Sequence, residues 1–468
     1  MANIDYLVFF VYSLFIVGLG VYFFFKTKNN ASYFTGDKEL GAGHIGLSVV
    51  ATDVGGGFSI GLGGLGFTLG LSGSWLLFTG LLGAWLSAVL VIPAVFKTKG
   101  FDNLSTFPGF LGAHYGASIA LVAALFSGIG YIGFTSAQLL AGVKLAAGTF
   151  PDVQPHWILI GMGLAAVLYT AFGGMKAVIY TDTIQWIVLI LGLGGIGIPL
   201  GYMKVGGWKG LQSTLPESFF SLNALTSLQV LEWSFTILPI WFVGMTLYQR
   251  IFACRDVKTA RKAWFIAGLF EYPIMAFLGV GVGMLARSGA ELGMMSSLGF
   301  SSAAEVVDPE VAIPMFIVSI LPSGLVGLLL AAYFSAIMST ADSCLMAASG
   351  NISVDILKFK NSSIHRSQLV TLLIGLLSIA IAWKAEKVLA IMLSSYSVMV
   401  SAMVLPVLSI VFKWRFHATS ILISMLVGGG TALAMELFGG GGAWVVPISL
   451  STALSSAWLS RWMINTSS

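Results

Sequence analysis

The chain has 468 residues, of which 57% are hydrophobic and 9% are charged, and its formal net charge is +4 at pH 7. Since a soluble domain carries about 25% charged residues, these charges are too few to cover a surface that faces water. The composition therefore excludes a soluble enzyme, a disordered chain and a nucleic-acid-binding protein, and it predicts a polytopic membrane protein made of helices.

The first apolar segment, residues 6–25, is long enough to cross the hydrocarbon of a bilayer, which takes about 20 residues. Asp5 precedes it and no Lys or Arg does, whereas a secretory signal peptide begins with basic residues. We therefore expect a membrane helix that the protein retains.

Twelve further apolar segments follow, so we expect about thirteen spans in all. These segments are residues 41–70, 74–96, 117–147, 156–172, 177–203, 230–252, 262–286, 322–356, 367–383, 388–412, 418–437 and 443–460. The segment 311–321 is too short to cross a membrane, so we expect a re-entrant or surface helix there.

Lys and Arg are distributed unevenly between the two sets of alternate loops that these spans create. Seventeen of the 23 basic residues, Arg250 among them, fall in one set, and six fall in the other. Because basic residues accumulate on the cytoplasmic side, the sequence predicts an N-terminus outside and a C-terminus in the cytoplasm. The positive charge is thus a signal of topology rather than a surface for polyanions.

The second span contains a run, residues 51–58, that suits a continuous helix poorly. Three successive glycines each lower helix preference by about 1 kcal/mol. Asp53 beside them would cost about 2.5–3.5 kcal/mol at the centre of the bilayer. Close packing of helices would explain the glycines alone, but together with Asp53 they predict a broken helix with exposed backbone groups.

The seventh span has its own interruption, at Leu238-Pro239-Ile240, with Gly244 a few residues later. Proline removes a backbone hydrogen bond from a helix, so a simple kink is one interpretation. However, the second and seventh spans are five apart, and interrupted helices at matching places indicate an inverted repeat around a central binding site. We expect an extra helix and loop in residues 1–40, repeats in 41–205 and 206–412, and two C-terminal helices in 413–468.

The ninth span is unusually rich in side-chain oxygen. Ala336, Ser339, Thr340 and Ser343 are spaced to share one helix face, and Asp342 flanks them. Hydroxyls in a span often bond to their own helix, but that leaves the carboxylate unexplained.

The sixth span carries a second intramembrane carboxylate. Asp182 and Gln185 are three residues apart, which puts them on one face of a helix. Hydroxyls, backbone carbonyls and carboxylates form a site for a hard cation, which prefers oxygen ligands.

Five of these runs together resemble the sodium/solute symporter family, which includes bacterial proline, pantothenate, sialic acid and sugar symporters and the eukaryotic sodium–glucose and choline transporters. The resemblance extends from about residue 5 to residue 415. The runs are residues 51–56, 168–174, 180–185, Gln249-Arg250 and 338–343. The resemblance implies an all-α, leucine-transporter-type fold with five-plus-five inverted repeats.

The same resemblance implies where sodium binds. By position, the ligands of one sodium ion would be three backbone carbonyls and two hydroxyls, from Ala51, Val54, Ala336, Ser339 and Thr340. Members of the family that bind a second sodium ion use positions that match Asp182, Ser339, Asp342 and Ser343. One or two sodium ions per cycle therefore remain open.

The solute pocket is expected beside the broken second span. Its predicted lining is Asp53, Gly55, Gly57, Phe58, Trp75, Phe78, Tyr131, Gln138, Trp241, Phe242 and Tyr396. This set is poor in amides, which argues against a sugar. Free backbone donors could hold a carboxylate, while Asp53 and the aromatic rings could hold an amine. An amino acid or similar zwitterion fits best, and a monocarboxylate, a quaternary amine such as choline or betaine, or a sugar are the alternatives.

A channel or a membrane-embedded enzyme is a more distant alternative. A channel needs a repeated filter motif and an enzyme needs clustered nucleophiles, bases or metal ligands, and the sequence displays neither. We therefore expect a sodium-coupled importer that is not an enzyme and that needs no organic cofactor. We also expect no nucleic-acid partner, two free thiols at Cys254 and Cys344, a monomeric transport unit, and a bacterial inner or plasma membrane location.

Overall fold

A computed structural model of the chain describes residues 3–24, 41–149, 154–359, 364–439 and 441–467. Throughout these ranges the regular structure is helical, without strands. Ten helices among them are long and apolar enough to cross a membrane. Both cysteines are free and buried.

The helices of the first half come from the predicted spans and the short segments between them. They are α1 (Asn3–Phe24), α2 (Ala42–Asp53), α3 (Gly55–Leu69), α4 (Trp75–Leu86), α5 (Ile92–Phe96), α6 (Phe107–Tyr115), α7 (Ala117–Ala147), α8 (Pro155–Leu189), α9 (Ile198–Lys204) and α10 (Gly207–Thr214). Wider π-helical turns, Ser87–Val91 and Ile190–Gly197, join two pairs of them. The 3₁₀ turns are Gly70–Ser74, Phe101–Asn103 and Glu217–Phe220.

The second half continues with ten further helices. They are α11 (Ser227–Val243), α12 (Met245–Phe252), α13 (Val257–Leu269), α14 (Ala276–Glu291), α15 (Ala312–Ile320), α16 (Leu325–Gly350), α17 (Ile364–Ala382), α18 (Val388–Val411), α19 (Ala418–Phe438) and α20 (Val445–Ser467). The π-helical turns here are Phe270–Met275 and Asn351–Ile356. The 3₁₀ turns are Ser296–Leu298, Ala303–Glu305 and Pro309–Val311.

The break in the second span lies where the sequence predicts it. Helix α2 ends at Asp53 and α3 begins at Gly55, with Val54 between them. Gly55 has a φ of +34°, a conformation that side chains disfavour and glycine tolerates. The glycine after the aspartate therefore lets the chain leave one helix axis and begin another.

The seventh span breaks at a different residue from the one predicted. Pro239 lies inside α11, and the helix continues to Val243 before Gly244 adopts an extended conformation with ψ of 116°. Proline removes only its own backbone donor, whereas Gly244 changes the direction of the chain. The interruption is thus present, but glycine produces it.

The predicted loop between the fifth and sixth spans is not seen as a break. Residues 155–189 form one helix, α8. Its only proline is Pro155 at the start, so every later residue keeps its backbone donor and the helix can run on. The count of about thirteen spans therefore stays a prediction.

Helix α16 lies at the centre of the molecule and is buried along almost its whole length. It packs against α7, α8, α1 and α3. On the other side of the break, α3 and α14 touch through backbone, because a methyl group on Gly66 would lie 2.3 Å from the carbonyl oxygen of Val280 and one on Gly283 would lie 2.1 Å from that of Gly63. Small residues allow this close approach without a loss of packing.

The outer lipid-facing helix α1 is fastened to the start of α16. Asp5 is buried, and its Oδ1 accepts hydrogen bonds from the backbone N–H groups of Gly324 at 2.6 Å and Gly327 at 2.9 Å. These N–H groups belong to the first turn of α16, which has no partner of its own for them. A carboxylate from another helix therefore caps α16 and complements its dipole.

Replacement of Asp5 by alanine is expected to lower the stability of the protein by about 1–2 kcal/mol, the usual value of a helix cap. Asp5→Asn is the matched control, because it keeps an acceptor oxygen. Thermal unfolding of the two purified variants in detergent tests this, and equal melting temperatures for both would show that the cap contributes nothing.

Candidate functional site

The oxygen atoms predicted to hold sodium meet where α16 passes the break between α2 and α3. The Thr340 hydroxyl donates to the Ala51 carbonyl oxygen at 2.9 Å and lies 3.2 Å from the carbonyl oxygen of Ala336. All five predicted ligands are fully buried: Ala51, Val54, Ala336, Ser339 and Thr340. Three of the five thus converge on one point, and their oxygen atoms suit a hard cation.

Gly55 brings the break into direct contact with this point. A methyl group on Gly55 would lie 1.8 Å from Thr340 Oγ1 and 2.7 Å from Thr340 Cβ. No real Cβ atom occupies such a position, so only glycine permits the two helices to approach this closely.

A buried arginine lies beside the same helices. Arg250 is fully buried in α12, although the charge distribution assigns it to a cytoplasmic loop. Its Nη2 donates to the hydroxyls of Thr52 and Ser343 at 2.7 Å each, and its Nε donates to Ser48 Oγ at 3.3 Å. We call Ser48, Thr52, Arg250 and Ser343 the arginine cluster. It ties α2, α12 and α16 together through charge-assisted hydrogen bonds.

The residues proposed for a second sodium ion have separate partners. Asp342 accepts a hydrogen bond from the Thr170 hydroxyl of α8, while Ser343 belongs to the arginine cluster. Ser339 is buried on the same helix, and the side chain of Asp182 lies outside the described part of the chain. A second sodium ion therefore stays a prediction.

Two predicted solute residues meet at the end of α2. Asp53 is 6% exposed, and the hydroxyl of Tyr396 lies 3.5 Å from its Oδ1. The Tyr396 ring stacks on Phe134 with centroids 5.0 Å apart. A carboxylate and a stacked aromatic pair thus lie together within a few residues of the sodium ligands.

A further carboxylate, Glu271, faces Asp53, and the sequence interpretation missed it. Glu271 is fully buried in the π-helical turn Phe270–Met275, and its carboxyl group contacts that of Asp53. A methyl group on Gly80 of α4 would lie 2.0 Å from Glu271 Oε2, so the absence of a side chain there makes room for the carboxylate. A signal was present: Glu271 is the one acidic residue of residues 262–286, with Pro273 two positions later.

The predicted aromatic residues of α4 lead to the same place. Trp75 and Phe78 pack edge to face at 5.1 Å, and Phe78 packs in the same way against Tyr272 at 5.2 Å. Tyr272 follows Glu271 directly and has an extended conformation, with φ of −137° and ψ of 123°. The unwound backbone thus accompanies a Glu271 carboxyl group that lies against α4 and Asp53, and a Tyr272 ring that packs on Phe78.

Tyr131, Trp241 and Phe242 lie at or near the second break, whereas Gln138 lies against α18. The Tyr131 hydroxyl lies 3.0 Å from Thr246 Oγ1, just after Gly244. Gln138 contacts Met392 Sδ at 3.7 Å, and Trp241 is fully buried against Gly83. Phe242 is buried as well. Gly57 lies in the first turn of α3, and the side chain of Phe58 falls outside the described residues.

A cavity of about 570 Å³ opens on the side that the charge distribution places outside the cell. Gly61 of α3 and Leu393 of α18 belong to its lining, and Leu393 is one helical turn from Tyr396. The charged residues of its wall are Lys144, Glu232, Asp308, Glu310, Glu386 and Lys387. The wall of the cavity therefore comes within one helical turn of Tyr396, the residue beside Asp53.

Glu310 holds the start of α18 at the edge of this cavity. Its two oxygens accept from the backbone N–H groups of Val388 at 3.1 Å and Leu389 at 3.2 Å, and Lys144 forms an ion pair with it at 2.8 Å. Lys144 also pairs with Asp308. A carboxylate at a helix N-terminus satisfies donors that otherwise lack partners.

Comparison with known proteins supplies a family. The model of the family described as sodium:solute symporters matches residues 33–428. The high-affinity proline transporter PutP of Bacillus subtilis is 26% identical over 444 residues, which cover 89% of this chain and 88% of that protein. The sodium/glucose cotransporter of Vibrio parahaemolyticus is 27% identical over 395 residues, which cover 76% of this chain and 69% of that protein.

A solved structure shares the fold over nearly the whole length. It is described as the substrate-bound outward-open state of a Na⁺-coupled sialic acid symporter. The TM-score is 0.80 at 22% sequence identity, and the match covers 99% of this chain and 98% of that one.

Proposed function

The chain belongs to the sodium:solute symporter family, and from this premise we propose that the solute it imports is a small amino acid or a similar zwitterion. Sodium-coupled symport of a small organic solute is the activity of this protein, with Na⁺ as the coupling ion. It is a multi-pass membrane transporter and not an enzyme.

The sodium ion, in our proposal, is held by the carbonyl oxygens of Ala51, Val54 and Ala336 and by the hydroxyls of Ser339 and Thr340. The observation that carries this proposal is the hydrogen bond from the Thr340 hydroxyl to the Ala51 carbonyl at the break between α2 and α3. A hydroxyl that already binds that carbonyl needs little rearrangement to bind an ion together with it.

An amino acid suits the groups beside this point. Asp53 supplies a negative charge for an ammonium group, and the Tyr396 and Phe134 rings lie next to it. The N-terminus of α3, residues 55–57, supplies backbone donors for a carboxylate. The two curated relatives described above are named for proline and glucose, so kinship alone leaves the solute open.

Coupling follows from the position of the two ligands. Sodium would join α2 to α16, which come from opposite predicted repeats, and the solute would bind at the end of the same α2. Because both ligands favour the same arrangement of these helices, each raises the affinity for the other. The binding site then opens alternately to the outer cavity and to the cytoplasm.

Uptake is expected to be electrogenic, since each charge that crosses the membrane contributes about 2.3 kcal/mol per 100 mV. The test uses the full chain in proteoliposomes with an inward sodium gradient and labelled proline, alanine, betaine, choline, pyruvate and glucose. We expect accumulation of an amino acid that increases with an inside-negative potential and disappears when potassium replaces sodium. Accumulation of glucose, pyruvate or choline instead would replace the proposed solute class.

The membrane, the orientation of the termini and the number of chains per transport unit can each be tested directly. We propose a bacterial plasma membrane, an N-terminus outside and a C-terminus in the cytoplasm, and one chain per transport unit. Cysteine labelling at each terminus from one side of the membrane reports the orientation, and mixing active with inactive chains reports whether each transports alone.

A further inference from the structure

Asp53 and Glu271 form a buried pair of carboxyl groups with few hydrogen-bond donors. The two side chains are 6% and 0% exposed, and they face each other across the end of α2 and the unwound turn before α14. Neither oxygen of Glu271 receives a hydrogen bond from any donor in the described part of the chain. A buried polar group without a partner is costly, and a charged one more so.

Among the residues that the structure describes, no positive charge compensates the pair. No described Lys or Arg forms an ion pair with either carboxyl group. The titratable groups that face the pair are the Tyr131 and Tyr396 hydroxyls and the Cys344 thiol. Arg250 uses Nη2 and Nε on the hydroxyls of its own cluster.

The position of Glu271 is set by the fold. The π-helical turn and the extended Tyr272 aim the carboxylate at α4, where only a glycine at position 80 leaves room for it. The Tyr396 hydroxyl lies beside Asp53, and Tyr272, which follows Glu271 in the chain, packs edge to face against Phe78 of α4. A buried carboxylate without a donor, next to a second carboxylate and a tyrosine, makes a binding site for an organic cation.

We propose that Glu271, together with Asp53, binds a primary or secondary ammonium group of the solute and so determines which solutes this protein accepts. Such a group brings one positive charge and at least two N–H donors, enough to reach both carboxyl groups. A quaternary amine brings the charge without donors, a sugar brings donors without charge, and a monocarboxylate is repelled. This inference rests on the proposed function, and it makes Glu271 a specificity residue.

Matched solutes test the inference in the full chain in proteoliposomes. One set is L-proline, its N,N-dimethyl betaine and tetrahydrofuran-2-carboxylate, in which oxygen replaces the ring nitrogen. The other is L-alanine, its N,N,N-trimethyl derivative and propionate. We expect the ammonium-bearing member of at least one set to accumulate with sodium and its two analogues to be taken up roughly tenfold to a hundredfold less well, as the loss of a charged hydrogen bond predicts.

Glu271→Gln is expected to remove this preference and to raise the half-saturating concentration of the ammonium solute, while the affinity for sodium in the absence of solute stays unchanged. Gly80→Ala is a second variant, which keeps the carboxylate but displaces it, and it should act in the same direction. Glu217→Gln, at an exposed residue of the outer loop, is the matched control and should behave as the unchanged protein. Melting temperatures of the purified variants identify any that fail to fold.

The outcomes separate the inference from the function on which it rests. If uptake depends on sodium but the betaine or the oxygen analogue is accepted equally well, Glu271 does not select an ammonium group. If Glu271→Gln changes the sodium requirement and leaves the preference among solutes intact, the pair binds a metal cation instead, and the inference is wrong. If no solute accumulates with sodium, the inference and the proposed function both fail.

Discussion

Replacement of Ser339 and Thr340 together by alanine is expected to abolish sodium-driven accumulation. The double variant removes two of the five proposed ligands, including the hydroxyl that already binds the Ala51 carbonyl oxygen. Each lost contact to a charged ligand is worth about 1.5–3 kcal/mol, so sodium affinity should fall by roughly a hundredfold or more. Initial uptake rates in proteoliposomes, measured across a series of sodium concentrations, provide the readout.

Two matched variants make this result specific. Ser349→Ala removes a hydroxyl from the same helix whose bond goes only to its own backbone, at Met346, and it should transport normally. Thr340→Ser keeps a hydroxyl at residue 340, where the double variant has none, and should retain most of the sodium dependence. Unchanged accumulation with an unchanged sodium requirement in the double variant would disprove the proposed sodium site.

Gly55→Ala is expected to inactivate the transporter as completely as the double alanine variant does, because the added methyl group has no room. The added methyl group would lie 1.8 Å from Thr340 Oγ1, at a residue whose φ is +34°. A non-glycine residue in such a conformation costs about 1–3 kcal/mol before any overlap is counted. The two helices must separate, so the carbonyl of Ala51 and the hydroxyl of Thr340 can no longer bind one ion.

The control is Gly43→Ala in the preceding helix, α2, where an added methyl group meets nothing within 4 Å. Sodium-dependent thermal stabilisation and solute uptake should both be lost in Gly55→Ala and both be kept in Gly43→Ala. If the two variants transport equally, the close contact between the helix break and α16 is not part of the working protein.

Much of the fold follows from the sequence because bilayers constrain membrane helices so strongly. Length and hydropathy alone place α7 at residues 117–147 as the structure has it, and the all-α transporter fold is confirmed by the likeness to a solved symporter. Asp53 beside three glycines predicts the first break correctly, since both features oppose a continuous helix. The short helix α15 also lies within the predicted segment 311–321.

The misses have physical causes as well. Pro239 is tolerated within α11 because neighbouring residues keep their backbone bonds, and Gly244 makes the turn instead. Arg250 follows an apolar run and therefore resembles a loop residue, yet hydroxyls from two other helices satisfy its guanidinium group. Those partners lie about 90 and 200 positions away along the chain, a separation that local patterns do not reveal.

Glu271 illustrates a further limit. The pattern of an acidic residue next to a helix breaker is the same as at Asp53, but Gly80 and Asp53 reach it only through the packing of α4 and α2. The assignment of individual residues to sodium or solute stays a prediction until the variants above are measured.

The cap that Asp5 provides has a mechanical consequence. Helix α1 exposes Leu7, Phe10 and Leu14 to lipid. The Asp5 carboxylate of the same helix is hydrogen-bonded to the first turn of α16, the helix proposed to bind sodium. If α16 tilts during transport, α1 must therefore move with it through the surrounding lipid. Each transport cycle then includes the work of deforming the lipid around α1, so the transport rate should depend on bilayer thickness.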